Sequence, residues 1–118
     1  MAEQKTGKDL VGPPRREGDT ATLSVLGEVD LHNSADLRSA LLQLIAKDPP
    51  KKIILNLAEV RYVDSSAIAV LVEILQKLRK VGGKVILSNL QPRVKGLLEI
   101  ARLDTIFPIV TDDKGAGA

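Results

Sequence analysis

Apolar positions along the chain switch repeatedly between a period of two and a period near 3.6. Thr22 to Leu26 alternates polar and apolar, with Leu23 and Val25 on one face, which predicts a strand with one face buried. Gly27 ends that run, and Glu28-Val29-Asp30 leads into a loop. Leu37, Leu41, Leu44 and Ile45 then recur at helical spacing until Pro49-Pro50 stops the pattern. Asn33 or Ser34 is placed to cap this helix, and Asp36 sits in its first turn, where the helix dipole favours an acid. Ile53-Ile54-Leu55-Asn56-Leu57 is nearly continuous in apolar character, as in a strand covered on both faces.

A longer amphipathic helix is predicted after Ser66. Ala67, Val70, Leu71, Ile74, Leu75 and Leu78 form its inner stripe, while Glu73, Gln76, Lys77 and Lys80 form the wet face. Glu73 and Lys77 stand at supportive i,i+4 spacing, and Gly82-Gly83 terminates the helix. Lys84 to Ser88 reads as a further strand. Pro92 suits the first turn of a last helix with apolar positions Val94, Leu97, Leu98 and Ala101, which Gly96 weakens by about 1 kcal/mol relative to Ala. Ile106 to Val110, interrupted by Pro108, is a candidate edge strand.

Strands alternating with crossover helices predict an α/β layer whose neighbouring strands run largely parallel. Such sheets place their sites on the loops at the C-terminal ends of the strands. Asp30 and Asp64-Ser65-Ser66 both fall on loops of that kind. The ends of the chain lack this regularity. Residues 1–18, rich in Lys, Arg, Glu, Gly and Pro, are expected to form a flexible or loosely attached arm, in which Pro13-Pro14 bars regular structure and Leu10-Val11 is a candidate edge strand. The domain itself is expected over residues 19–111, with a flexible tail over 112–118.

Composition narrows the function classes. A chain of 118 residues suits one domain, and a single Phe (Phe107), a single Tyr (Tyr62) and no Trp make the core aliphatic. Its 17 basic and 15 acidic residues are intermixed, giving a formal net charge of +2. There is no basic stripe with aromatic stacking platforms, which argues against direct nucleic-acid binding. The absence of Cys excludes disulfides and thiolate metal sites, and a lone His, His32, argues against a His-based metal centre. No apolar run reaches membrane-spanning length and the N-terminus shows no signal-peptide core, so no membrane insertion and a cytoplasmic location are expected.

Candidate chemistry concentrates at Asp64-Ser65-Ser66. A helix N-terminus offers unpaired N–H groups and a favourable dipole to a phosphate. The same three residues also make an ordinary N-cap, in which the side-chain oxygens accept from those N–H groups. A Ser66/His32/Asp30 hydrolase lacks a G-x-S-x-G elbow, and Asp30 lies too near His32 in sequence to orient it. Gly82-Gly83-Lys84 follows a helix and precedes a strand, the reverse of a P-loop, and reads as a helix C-cap. Lys51-Lys52 and Arg79-Lys80 read as solvated charges at strand starts and helix ends. No catalytic apparatus, metal site or cofactor site emerges, which points to a binding module without enzyme activity of its own.

The run Leu57-Ala-Glu-Val-Arg-Tyr-Val-Asp-Ser-Ser-Ala-Ile-Ala-Val-Leu resembles the hallmark segment of STAS domains, specifically those of anti-sigma factor antagonists. Gly27-Glu28-Val29-Asp30 resembles the family's other signature, and the likeness extends from about Thr20 to Val110. The resemblance implies a mixed, largely parallel sheet covered by helices on one side. It also implies partner switching: an anti-sigma factor that is itself a serine kinase binds the unphosphorylated antagonist, phosphorylates it and releases it, and a PP2C-type phosphatase restores it. By position, the acceptor is Ser66, with Ser65 the weaker candidate. Asp30 matches the acidic residue that faces the kinase, and the implied partner surface comprises Asp30, Asp64, Ser65, Ser66 and Ala67. Ala67 and Ala69 stand where the family often has glycines, Asn56 where an Asp is common, and the N-terminal arm is longer than in a minimal antagonist. The same family supplies two other roles, a STAS subunit of a membrane lipid-transport ATPase complex and a scaffold domain of a stress-sensing assembly.

Overall fold

In the computed structural model, which describes residues 5–112, five strands form one sheet in the order β1-β2-β3-β4-β5. The strands are β1 (Arg15–Glu17), β2 (Thr20–Ser24), β3 (Lys52–Asn56), β4 (Lys84–Ser88) and β5 (Ile109–Val110). β1 pairs antiparallel with β2, and the remaining neighbours pair parallel. Three helices make the parallel connections: α1 (Ser34–Ile45), α2 (Ser65–Arg79) and α3 (Pro92–Ile100). From β2 to β5 the chain always steps to the next position in the same direction. Right-handed crossovers then leave every helix on the same face.

Burial follows from that arrangement. Leu23, Ile53, Leu55, Val85 and Leu87 point to the helical face and share one core with Leu37 and Leu41 of α1, Ile74 and Leu78 of α2, and Leu98 of α3. Ile54 and Ile86, one residue out of phase, form a second small cluster with Val110 on the opposite face. β3 and β4 are therefore apolar on both faces, as the continuous run at residues 53–57 predicts. The inner stripe expected of α2 is buried throughout, from Ala67 to Leu78.

α2 stops where the glycines stand. Gly82 adopts φ +81°, and the Gly83 N–H donates to the Leu78 carbonyl at 2.8 Å, which closes the last turn. A Cβ on Gly83 would lie 2.5 Å from Leu78 Cγ, inside the core. Pro92 occupies the first turn of α3, where its missing N–H is no loss. Of the expected edge strand at 106–110, only Ile109–Val110 pairs, because a 3-10 turn at Leu103–Thr105 carries the chain around buried Phe107 first.

The described part of the expected N-terminal arm, residues 5–18, packs on the domain. Leu10 is fully buried, Val11 bridges Val25 antiparallel, and Arg15–Glu17 completes the sheet edge after Pro13-Pro14. The boundary expected at 18/19 thus falls inside the β1–β2 hairpin. Leu10 supplies the reason, since one buried leucine is worth about 2 kcal/mol of transfer free energy. Of the expected tail at 112–118, all but Asp112 lies outside the described residues. Among the described residues, no helix is long and apolar enough to cross a membrane.

Candidate partner-binding site at the start of α2

Two loops meet at the C-terminal ends of β2 and β3. Beyond the strands proper, Val29 pairs in parallel with Val63, and the Val29 N–H donates to the Tyr62 carbonyl at 3.2 Å. The Asp64 N–H returns to the Val29 carbonyl, also at 3.2 Å. These bonds bring the Asp30 loop beside Asp64, although 33 residues separate Leu31 from Asp64 in sequence.

Asp64 is the hub. It is the N-cap of α2, and its Oδ1 accepts from the Ser66 N–H at 2.9 Å, the Ala67 N–H at 3.2 Å and the Ser66 hydroxyl at 2.5 Å. Its Oδ2 accepts from the Leu31 N–H at 3.0 Å. The helix N-terminus is therefore filled by a side-chain carboxylate rather than left open as an anion cradle. Ser65 is exposed, Ser66 is half-buried, and Ala67 is buried beneath them.

The hydrogen bond from the Ser66 hydroxyl is the main cause that holds the Asp64 carboxyl below the usual aspartate range. Partial burial opposes it, and the amides of Ala67, Ser66 and Leu31 reinforce it. A depressed carboxylate pKa contributes stability that is fully present above the unfolded value, about 4, and is lost as pH falls through the folded value. Thermal melts are accordingly expected to fall with pH below about 4, and Asp64→Asn is expected to lose part of that dependence. An unchanged acid limb in Asp64→Asn would remove Asp64 from the account.

The Asp30 loop is held from inside. Asn33, at the N-cap position of α1, makes no side-chain cap bond. It is completely buried, and its Oδ1 accepts from the Asp30 N–H at 2.9 Å while its Nδ2 donates to the carbonyls of Lys5 and Glu28 at 2.8 and 2.9 Å. Of the two caps expected, Asn33 or Ser34, Asn33 takes the N-cap position but serves as a loop lock, because two backbone groups of its own loop and the Lys5 carbonyl converge on its amide. Asp30 Oδ1 accepts from the His32 N–H at 2.8 Å, and the exposed His32 imidazole lies 3.4 Å from the same oxygen. Asp36 also turns to the N-terminal segment, accepting from the Gly7 N–H at 3.0 Å.

Two further features frame the site. Arg38 of α1 forms a two-pronged pair with Glu73 of α2, both contacts at 2.8 Å. Glu73 therefore works mainly between helices, and the field of Lys77 adds only a smaller effect on its depressed pKa. Asn56 bonds the Ala58 N–H at 2.9 Å, and Gln91 donates to the Ala58 carbonyl at 2.8 Å, which fixes the loop that leads to Asp64.

The structure brings Asp30, Asp64, Ser65, Ser66 and Ala67 to one end of the molecule. Between Asp30 and His32, Leu31 is 77% exposed, and sequence reasoning did not single it out. The signal was present: Leu31 is a large apolar residue outside either periodic segment.

The chain is similar to known regulators over most of its length. It is 30% identical over 93 residues to the anti-sigma-B factor antagonist of Bacillus subtilis, covering 79% of this chain and 84% of that one. Its fold matches an anti-sigma-factor antagonist (STAS) domain protein from Planctomyces limnophilus with a TM-score of 0.80, 18% identity, and coverage of 88% and 92%. It also matches the Bacillus cell fate determinant SpoIIAA in its phosphorylated form, with a TM-score of 0.69, 21% identity, and coverage of 89% and 96%. Residues 14–116 match the STAS domain family, and with its one-sided α/β layer and the Asp-Ser-Ser segment at the head of α2, the chain belongs to that family.

Proposed function

We propose that this protein is an anti-sigma factor antagonist that binds an anti-sigma serine kinase while Ser66 is unphosphorylated and leaves it when Ser66 carries phosphate. The observation that carries the reading is the placement of the Ser66 hydroxyl: half-buried at the first turn of α2, 2.5 Å from the Asp64 carboxylate, beside the Asp30 loop. Similarity to the Bacillus subtilis antagonist supports the general role.

The chemistry favours a switch made of charge. Phosphorylation replaces the Ser66 O–H donor with a group carrying about −1.5 to −2 charge. The nearby N–H groups already serve Asp64, so the phosphate meets a carboxylate rather than empty donors. In the free protein, water solvates that charge. Inside an interface the water is gone, and like charges at Asp64 and Asp30 oppose the new one. Ser66 suits this role better than Ser65, because its hydroxyl is the one engaged with Asp64. A PP2C-type phosphatase would reset the switch, and the protein itself would supply no catalysis.

Incubation with the anti-sigma serine kinase of the source organism and ATP tests the reading. One phosphate is expected, mapped by mass spectrometry to Ser66 and absent from Ser66→Ala. A phosphate that persists in Ser66→Ala, or constitutive binding to a transport ATPase unaffected by Ser66→Asp, overturns it.

A further inference from the structure

We infer that Leu31 is a preformed apolar anchor, seated in the partner kinase within an apolar socket whose rim carries Lys or Arg side chains. The inference rests on the kinase-binding part of the proposed function and names a contact that provides affinity.

Three large apolar residues are exposed among the described residues: Leu31, Val81 and Ile100. Val81 follows α2 and Ile100 ends α3, whereas Leu31 stands on the loop that Asp64 holds. The backbone of the loop around it is held by hydrogen bonds. Every backbone N–H from Asp30 to Ser34 is bonded: Asp30 to Asn33 Oδ1, Leu31 to Asp64 Oδ2, His32 to Asp30 Oδ1, and Asn33 and Ser34 to the Asp30 carbonyl. A leucine displayed on a locked loop gives up little freedom on binding, which is how preorganisation raises affinity. Its flanks select the partner's chemistry. Asp30 precedes it and Asp64 holds its amide, so a socket that buries Leu31 must approach two carboxylates, and a cationic rim complements them. The anchor and the acceptor share one hub, since Asp64 Oδ2 fixes Leu31 and Asp64 Oδ1 accepts from Ser66. The Leu31 backbone and the Ser66 hydroxyl are thus tied to one carboxylate, which places both on the same end of the molecule.

Binding kinetics with the anti-sigma serine kinase of the source organism test this, comparing the parent, Leu31→Ala, Leu31→Met and Ser66→Asp. Leu31→Ala is expected to weaken binding about tenfold or more, chiefly through faster dissociation, with an unchanged melting midpoint because the side chain is exposed. Leu31→Met keeps the volume and is expected to stay within about threefold of the parent. The parent's association rate is expected to fall with added salt. Binding of Leu31→Ala within about twofold of the parent overturns the anchor, and a salt-independent association rate overturns the cationic rim. Ser66→Asp separates the two ideas: if it binds like the parent while Leu31→Ala does not, the anchor stands and the switch fails. The converse pattern leaves the switch standing without the anchor, and a parent that does not bind the kinase overturns both.

Discussion

Phosphorylation of Ser66 is expected to weaken kinase binding about a hundredfold, a differential cost of about 2.7 kcal/mol. Ser66→Asp, with about half the added charge, is expected to weaken it about tenfold or more. The cost arises from the surroundings of one hydroxyl. Asp64 Oδ1 collects three donors within 3.2 Å, and one of them is the Ser66 O–H that phosphate would replace. The repulsion is modest in water at high dielectric and grows when a partner excludes that water. No large rearrangement of the domain is needed, because α2 is fixed by a buried stripe from Ala67 to Leu78 that phosphate does not touch. Titration calorimetry of the parent, its phosphorylated form and Ser66→Asp measures the effect, with melting curves as the control for folding. Equal affinities for all three would show that the acceptor lies outside the interface.

Asn33→Ala is expected to cost about 3 kcal/mol of stability. The Asn33 side chain makes three hydrogen bonds from a fully buried position, each worth about 1 kcal/mol net. A loss of that size lowers the melting midpoint of a domain this small by roughly 10 to 20 °C. Asn33→Asp makes a sharper probe. It retains the acceptor for the Asp30 N–H but sets a carboxylate oxygen against the carbonyls of Lys5 and Glu28. It is therefore expected to be less stable than Asn33→Ala at neutral pH and to recover as acid protonates the new carboxyl. If Asn33→Ala melted within a few degrees of the parent, the Asp30 loop would not depend on this lock. Because the same side chain ties Lys5 to Glu28, hydrogen exchange is expected to rise together in the N-terminal segment and the Asp30 loop.

Much of the molecule could be read directly from residue order. The apolar periods at 37–45 and 67–78 marked α1 and α2, the continuous run at 53–57 marked a strand buried on both faces, and Gly82-Gly83 and Pro92 marked a helix end and a helix start. An N-cap within Asp64-Ser65-Ser66 was equally legible, although the helix expected after Ser66 begins at Ser65, with Asp64 as the cap. These are local properties: the period states which face is buried, and a cap needs only residues within three positions.

Only the tertiary structure decided how the site is assembled. It made Asn33 a lock instead of a cap, gave Glu73 to Arg38 across two helices, packed Leu10 and β1 onto the domain, and held Leu31 outward through Asp64. Apart from the two bonds that Asn33 makes within its own loop, each of these pairs residues from distant segments, and their meeting depends on strand register and crossover geometry, which no single window of sequence contains. Composition alone identified a polar, Pro-broken N-terminal segment, but one buried leucine and a row of backbone hydrogen bonds outweighed that polarity once β2 offered an open edge. Local pattern thus determined the elements and the place of Asp64-Ser65-Ser66 at the head of α2, while long-range hydrogen bonding determined how the Asp30 and Asp64 loops meet.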